Sequence, residues 1–205
     1  MEKARPYLIE GIKELGIPPI DPFKLPYLSV NRSIEEFSIN SVLKNIKATG
    51  LGNYIIDKVE FDPAHLSSVV RYTLPWVYME MEYDVLGQLL RIPLQSKGFF
   101  KGNFTNTQMV VKCTKKTYER DGETYLRIDK MSVKGQVGDG WVKMTSKNPE
   151  MQFAADLISN FFNENPRAVF DAVNPIFVEF TADLFKAMAN QILANIPVKE
   201  LFKEE

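Results

Sequence analysis

The apolar residues of this chain change period once, and that change constrains the fold more than any other feature of the sequence. From about Tyr27 to Met144 they recur mostly at every second position, as on a strand with one face buried. Beyond Asn148-Pro149 the period becomes helical: Phe153, Ala154, Leu157, Ile158, Phe161 and Phe162 follow i, i+1, i+4, i+5. A long run of strands is therefore expected to be closed by helices. Residues 1–205 are long enough for one continuous core, and a single domain is the simplest division.

The clearest strand is Val77-Tyr78-Met79-Glu80-Met81-Glu82-Tyr83-Asp84-Val85, with apolar odd positions and Glu80, Glu82 and Asp84 on the other face. Ile92, Leu94, Phe100 and Phe104 make the even face of the next run, where Gly98 and Gly102 permit a sharp bend. Met109, Val111 and Cys113 continue it on odd positions. Asp121-Gly122 predicts a tight hairpin turn. After the turn Leu126 and Ile128 are even but Met131 and Val133 odd, which predicts a bulge near Asp129-Lys130.

At the start, Tyr7, Leu8, Ile12 and Leu15 share a helical face that Gly16 and Pro18-Pro19 end, and Gly16 to Pro26 reads as a stiff connector. Near the other end Asn165 and Pro166 match the N-cap and first position of a helix. One stripe then carries Val169, Val173, Ile176, Phe177, Phe180, Leu184, Ala187, Met188 and Gln191, running to Asn195. Continuous, that is a helix of about 45 Å, kinked at Pro175 and enclosed by sheet over much of its circumference.

Much catalytic chemistry is excluded by counting. One Cys forbids an internal disulfide or a thiolate metal cluster, and one His forbids a His-paired zinc site. His65 follows the turn signal Asp62-Pro63 and reads as an exposed loop residue, although Ser67 and Ser68 are its neighbours. Glu80, Glu82 and Asp84 lack the partners that acid–base or metal chemistry needs and read as a solvated face. Gly50-Leu51-Gly52 and Gly138-Asp139-Gly140 do not extend to a nucleotide-binding loop. Cys113, on an apolar face, reads as an inert thiol. With 25 basic and 26 acidic residues the chain is not a general nucleic-acid binder. Lys97 to Lys147 is nonetheless basic, with 11 basic and 5 acidic residues for a net +6, against −7 elsewhere. An outer sheet face that discourages edge pairing accounts for these charges, with attraction to an anionic surface as the alternative. Asn31-Arg32-Ser33 and Asn103-Phe104-Thr105 match the N-glycosylation pattern, which matters only in a secretory setting. Phe (14) and Met (8) supply the apolar bulk that can fill a core or line a plastic cavity.

Three stretches carry a family resemblance. They are Arg5 to Phe23 (R-P-Y-L-x-x-G-I-x-E-L-G-I-P-P-I-D-P-F), Leu43-Lys44-Asn45-Ile46-Lys47-Ala48-Thr49-Gly50-Leu51, and the tail from Phe161-Phe162-Asn163-Glu164-Asn165-Pro166 through Val173-Asn174-Pro175 to Ile196-Pro197-Val198-Lys199-Glu200-Leu201-Phe202. In this order they resemble the insect takeout and juvenile-hormone-binding-protein family. The resemblance implies an α+β fold: a long C-terminal helix wrapped by a strongly curved antiparallel sheet, with an N-terminal helix, enclosing an elongated hydrophobic tunnel.

It also implies a non-enzymatic carrier of a small hydrophobic molecule, terpenoid or fatty-acyl, acting as a monomer without a cofactor or metal and with at most transient membrane contact. The candidate tunnel residues are Val77, Met79, Met81, Tyr83, Phe100, Phe104, Met109 and Val111 on the inward strand face, with Phe177, Phe180, Leu184 and Met188 on the last helix. Tyr83 is the candidate orienting hydroxyl. The rival functions are a membrane-surface lipid sensor or shuttle using the basic Lys97–Lys147 face, a lipid-ester hydrolase, and a signalling protein whose tunnel its own side chains fill. Family members usually carry a leader and two cysteines ahead of the R-P pair; with neither seen here, a cytoplasmic protein is expected, the alternative being a trimmed secreted haemolymph protein.

Overall fold

The computed structural model describes residues 5–34, 37–89 and 92–201. Its spine is a hairpin of two very long strands, β4 (Ser67–Leu89) and β5 (Ile92–Arg120), in one antiparallel register from Ser67↔Thr114 to Leu89↔Ile92. On one flank β1 (Phe23–Ile34) pairs β2 (Phe37–Thr49), which pairs β4 from Tyr78 onward, while β3 (Ile55–Asp62) pairs β4 before Leu74. On the other flank β6 (Glu123–Gln136) pairs β5 from Gln108 to Arg120 and β7 (Asp139–Ser146) pairs it from Gly98 to Thr105. The result is one seven-stranded antiparallel sheet, curled over its apolar face.

The curl is made where alternation breaks. Leu74 and Val77 are both buried, and their partners Thr107 and Phe104 bracket Asn106 at φ +50°. Both strands of the spine therefore change inward parity at the same level. Against β2 the register shifts between Lys44 and Lys47, and against β5 the strand β6 shifts where Asp129 is the extra residue. That second bulge lies where the parity change from Ile128 to Met131 predicts it. Asp121 and Gly122 turn the β5–β6 hairpin at φ 54° and 77°, as expected for a tight turn. At Gly98 a Cβ would sit 1.9 Å from the Thr145 carbonyl oxygen, so only glycine lets β7 approach β5 there.

Among the described residues strands β6 and β7 have β5 as their only strand partner, so each has an outer edge of peptide groups to satisfy. Helix side chains do this. From α2 (Gln152–Glu164), Gln152 Oε1, Ser159 Oγ and Asn163 Oδ1 accept the backbone N–H groups of Ser146, Met144 and Val142 at 2.9, 2.9 and 2.8 Å. From α3 (Pro166–Leu193), Asn174 donates to the Gly135 carbonyl at 3.0 Å, Lys186 to the Asp129 carbonyl at 2.7 Å, and Asn190 Oδ1 accepts the Ile128 N–H at 2.7 Å. The last two contacts fall at the bulge, where irregular pairing leaves peptide groups to fill. Arg120 secures the end of α3 by donating to the Ala194 carbonyl, before the short α4 (Val198–Leu201).

One feature of α3 differs from expectation. Asn165 makes no side-chain cap; its amide donates to the Phe161 carbonyl, closing α2 instead. The helix runs through Pro175 for 28 residues, and its described side chains are half-buried or exposed. The opening helix α1 is also shorter than its apolar spacing suggests. It spans Arg5–Glu10 and ends at Gly11, φ +79°, where a Cβ would strike the Ile17 and Pro18 backbone.

Tyr7 is 65% exposed, so α1 is held by other groups. Arg5 donates to the Gly52 carbonyl and lies over the Tyr54 ring at 4.2 Å, while the Asp21 carboxylate accepts the N–H groups of Gly50 and Gly52. Two of the stretches that carry the family resemblance thus meet at one structural joint. Beneath it lies a core of Ala48, Tyr54, Leu74 and Val77, with Ile20, Phe23, Leu51, Ile56, Tyr72 and Met109 packed around it.

The edge contacts give a direct test. Asn190→Ala strands the Ile128 N–H at a packed edge and should lower stability by about 1–3 kcal/mol. Asn195→Ala, which removes only a bond to the Gln191 carbonyl at an exposed helix end, should cost under about 0.5 kcal/mol. Urea unfolding midpoints of the two variants check the difference.

Candidate functional site

On α3 the exposed residues Asp183, Ala187 and Gln191 fall at successive i, i+4 steps and mark the solvent face. The β6 contacts Lys186 and Asn190 lie beside them. At 100° per residue the opposite face carries Val178, Ala182, Phe185, Ala189 and Ile192, all half-buried. The space between this face and the concave side of the sheet is the candidate groove. The accessible surface is 12,808 Å², whereas a folded chain of 23.5 kDa normally exposes about 9,800 Å².

The aromatic side chains of Phe104, Phe170 and Phe162 divide the groove. Phe104 meets Phe170 edge-on at 5.5 Å, and Phe170 meets Phe162 edge-on at 5.0 Å. Gly140 lies so close that a Cβ there would come within 2.8 Å of both Phe104 and Phe170. Toward the β1–β2 and β4–β5 hairpin ends lies a bay with half-buried Met79, Met81, Phe100 and Met144. Toward the β5–β6 turn lies a second bay, walled by Val59 and Phe61 of β3, Val70 of β4, Val111 and Cys113 of β5, and Met131 of β6.

The twelve candidate residues therefore have different surroundings. Met79, Met81 and Phe100 border the first bay and Val111 the second, with Met109 packed against the core between them. Val77 is 6% exposed within the core, and Phe104 is committed to the aromatic divider. Tyr83 is 4% exposed, and its hydroxyl shares a 3.2 Å hydrogen bond with Ser96. Burial pushes its phenol upward, opposed by that bond, so it stays neutral and engaged. On α3, Phe177 is 43% exposed, and Phe180, Leu184 and Met188 are half-buried beside the solvent line.

The stripe read from periodicity included Ala187 and Gln191, both exposed, so it is rotated from the face that meets the groove. Phe185, with Phe170 and Leu193, widens the apolar surface beyond that stripe, but Val178 and Ile192 were missed, although their i, i+7, i+14 spacing with Phe185 was available. The side chains of Ile92, Leu94, Val173 and Ile176 lie outside the described residues.

The polar candidates behave as surface. His65 is 79% exposed in the β3–β4 turn, 2.6 Å from Asp62, whose carboxyl is held below its ordinary range by that hydrogen bond. Glu80, Glu82 and Asp84 take Lys47, Lys147 and Lys97 across the convex face. Cys113 is half-buried, its sulfur 3.1 Å from Ser68 Oγ. Among the described residues no group of three His, Cys, Asp or Glu could hold a metal ion. No described helix is long and apolar enough to cross a membrane.

The family model described as haemolymph juvenile hormone binding protein matches residues 1–203. The chain belongs to this family. The circadian clock-controlled protein daywake of Drosophila yakuba is 24% identical over 204 residues, covering 96% of this chain and 78% of that protein. Its Drosophila melanogaster counterpart is 24% identical over 203 residues, covering 95% and 78%. The crystal structure of Epiphyas postvittana Takeout 1 shares the fold, with a TM-score of 0.82 at 22% identity over 97% of this chain and 91% of that one.

Juvenile-hormone-binding-protein family members bind small hydrophobic ligands and are not enzymes, and this chain is a binding protein of that kind. The expected cytoplasmic location is overturned by the same match, because the family is one of secreted haemolymph proteins. Within the described residues Arg5, Asp21 and the Gly50–Gly52 turn hold the N-terminal segment.

Tyr83→Phe separates a packing role from a ligand role. It should cost about 0.5–1.5 kcal/mol of stability and leave the affinity for an apolar fluorescent probe unchanged, as read by chemical unfolding and probe titration.

Proposed function

We propose that this chain carries an elongated apolar molecule, terpenoid or fatty-acyl, in the groove between α3 and the concave face of the sheet, as a monomer without a cofactor and with residues 1–205 acting as one domain. The observation that carries this reading is α3 itself: 28 residues rich in Phe, Val and Ala, whose described side chains are all half-buried or exposed. So much half-buried apolar surface is costly in water, at about 25 cal/mol per Å², and a ligand laid along it removes that cost. The Met side chains of the first bay adapt to different shapes, which suits a ligand class wider than one compound. Hydrolysis finds no support around His65, which is exposed in a turn. The membrane-surface alternative is weakened because Lys97, Lys116 and Lys147 are paired with Asp84, Asp129 and Glu82.

Two arginine substitutions test the placement. Phe185→Arg puts a charge on the groove face of α3, and Ala187→Arg puts the same charge on its solvent face. The first should weaken binding of an apolar fluorescent probe at least tenfold, the cost of a poorly solvated charge, while the second should bind within about twofold of wild type. Equal binding by both variants would move the site away from this face. Absence of probe binding by the wild-type protein, with no solvent-extractable lipid, would remove the carrier reading altogether.

A further inference from the structure

The second bay contains one cation. Lys115 pairs directly with Ile128, a buried residue of β6, and so shares the inward face of the sheet. Its ammonium lies 2.9 Å from Ser68 Oγ and 5.4 Å from the centroid of the Phe61 ring. Phe61 and Ser68 face each other across the β3–β4 pair, and Ser68 also contacts Cys113. Lys47, Lys97, Lys116 and Lys147 each have a carboxylate on the convex face. Lys115 has none within ion-pair distance among the described residues. Val59, Phe61, Val70, Val111 and Met131 form the apolar wall on the same face of the sheet. An ammonium half-buried on such a wall is poorly compensated by one hydroxyl and one ring.

Building on the reading of the groove as a ligand site, we propose that Lys115 and Ser68 bind the carboxylate head of a long-chain monoacid whose tail runs along β5 past Val111 toward Met109. One ammonium and one hydroxyl match the charge and hydrogen-bonding capacity of a monoanion. Phe61 is 43% exposed at this end, so the head meets water while the tail is withdrawn. The wall from Lys115 to Met109 is about 20 Å long, enough for an extended fatty-acyl tail. The aromatic divider at Phe104 lies beyond Met109 and closes that path.

The test compares palmitate with methyl palmitate, which share a tail and differ in charge, in wild-type protein and Lys115→Met. Wild type should bind the acid at least tenfold more tightly than the ester, the ratio expected from a charge-assisted hydrogen bond. Lys115→Met should bind the ester as wild type does and lose the preference for the acid. No preference in wild type, or the same preference in both proteins, would overturn the assignment while ester binding keeps the groove reading intact. Binding of neither compound by wild type would instead remove the groove reading, and this proposal with it.

Discussion

A sheet edge that faces the protein interior must have its peptide groups hydrogen-bonded, and the architecture follows from how that requirement is met. Strands β6 and β7 divide the length of β5 between them, so neither offers its outer edge to another strand. Gln152, Ser159 and Asn163 serve β7, while Asn174, Lys186 and Asn190 serve β6. Each such bond contributes only about 0.5–1.5 kcal/mol net, but leaving its partner unpaired costs more. The helices are thereby fixed along the rim of the sheet. A helix held by its apolar stripe would settle onto the concave face and fill it; one held by amide and ammonium groups stands at the edge, with apolar surface left over.

That distinction explains which parts of the sequence were legible. Alternation from Val77 to Val85 reports a strand with one wet face, because the outward carboxylates contrast with inward Met and Tyr. The Asp129 bulge was legible because an extra residue inverts every later side chain. The orientation of α3 was not. Its Phe, Val, Leu and Ala residues surround most of the helix, so periodicity has little contrast. The residues that orient it, Asn174, Lys186 and Asn190, look like ordinary solvent-facing polar positions until the β6 edge is beside them. Asn165 misled for a related reason: its amide can cap the following helix or close the preceding one, and the chain takes the second option.

The inward face was partly legible in the same sense. Met79, Met81, Phe100 and Val111 share it because β-alternation fixes their side once the register is known. Val77, Tyr83 and Phe104 share that face and are nonetheless consumed by internal packing, which alternation cannot foresee. Lys115 was within reach, since Met109, Val111 and Cys113 set a parity that places it inward. A lysine after three apolar positions reads instead as the end of a buried face. The family motifs were more informative about position than chemistry: Arg5, Asp21 and Gly50–Gly52 form a joint that holds α1 against the 3-10 turn at Leu51–Asn53.

The aromatic divider connects the curvature of the sheet to what the groove can accept. Phe104 reaches Phe170 at the level where both spine strands change parity, between Leu74 and Val77 and across Asn106. The bend tilts Phe104 into the groove, and Gly140 leaves room for both rings. Three aromatics in edge contact resist displacement, because a ligand replacing them would forfeit about 0.5–1.5 kcal/mol per ring pair beyond the buried area. Apolar matter on the two sides of the divider therefore meets different chemistry: adaptable methionine on one side, and a branched aliphatic wall ending at a cation on the other. Curvature of the backbone, rather than a special residue in either bay, keeps the two environments apart.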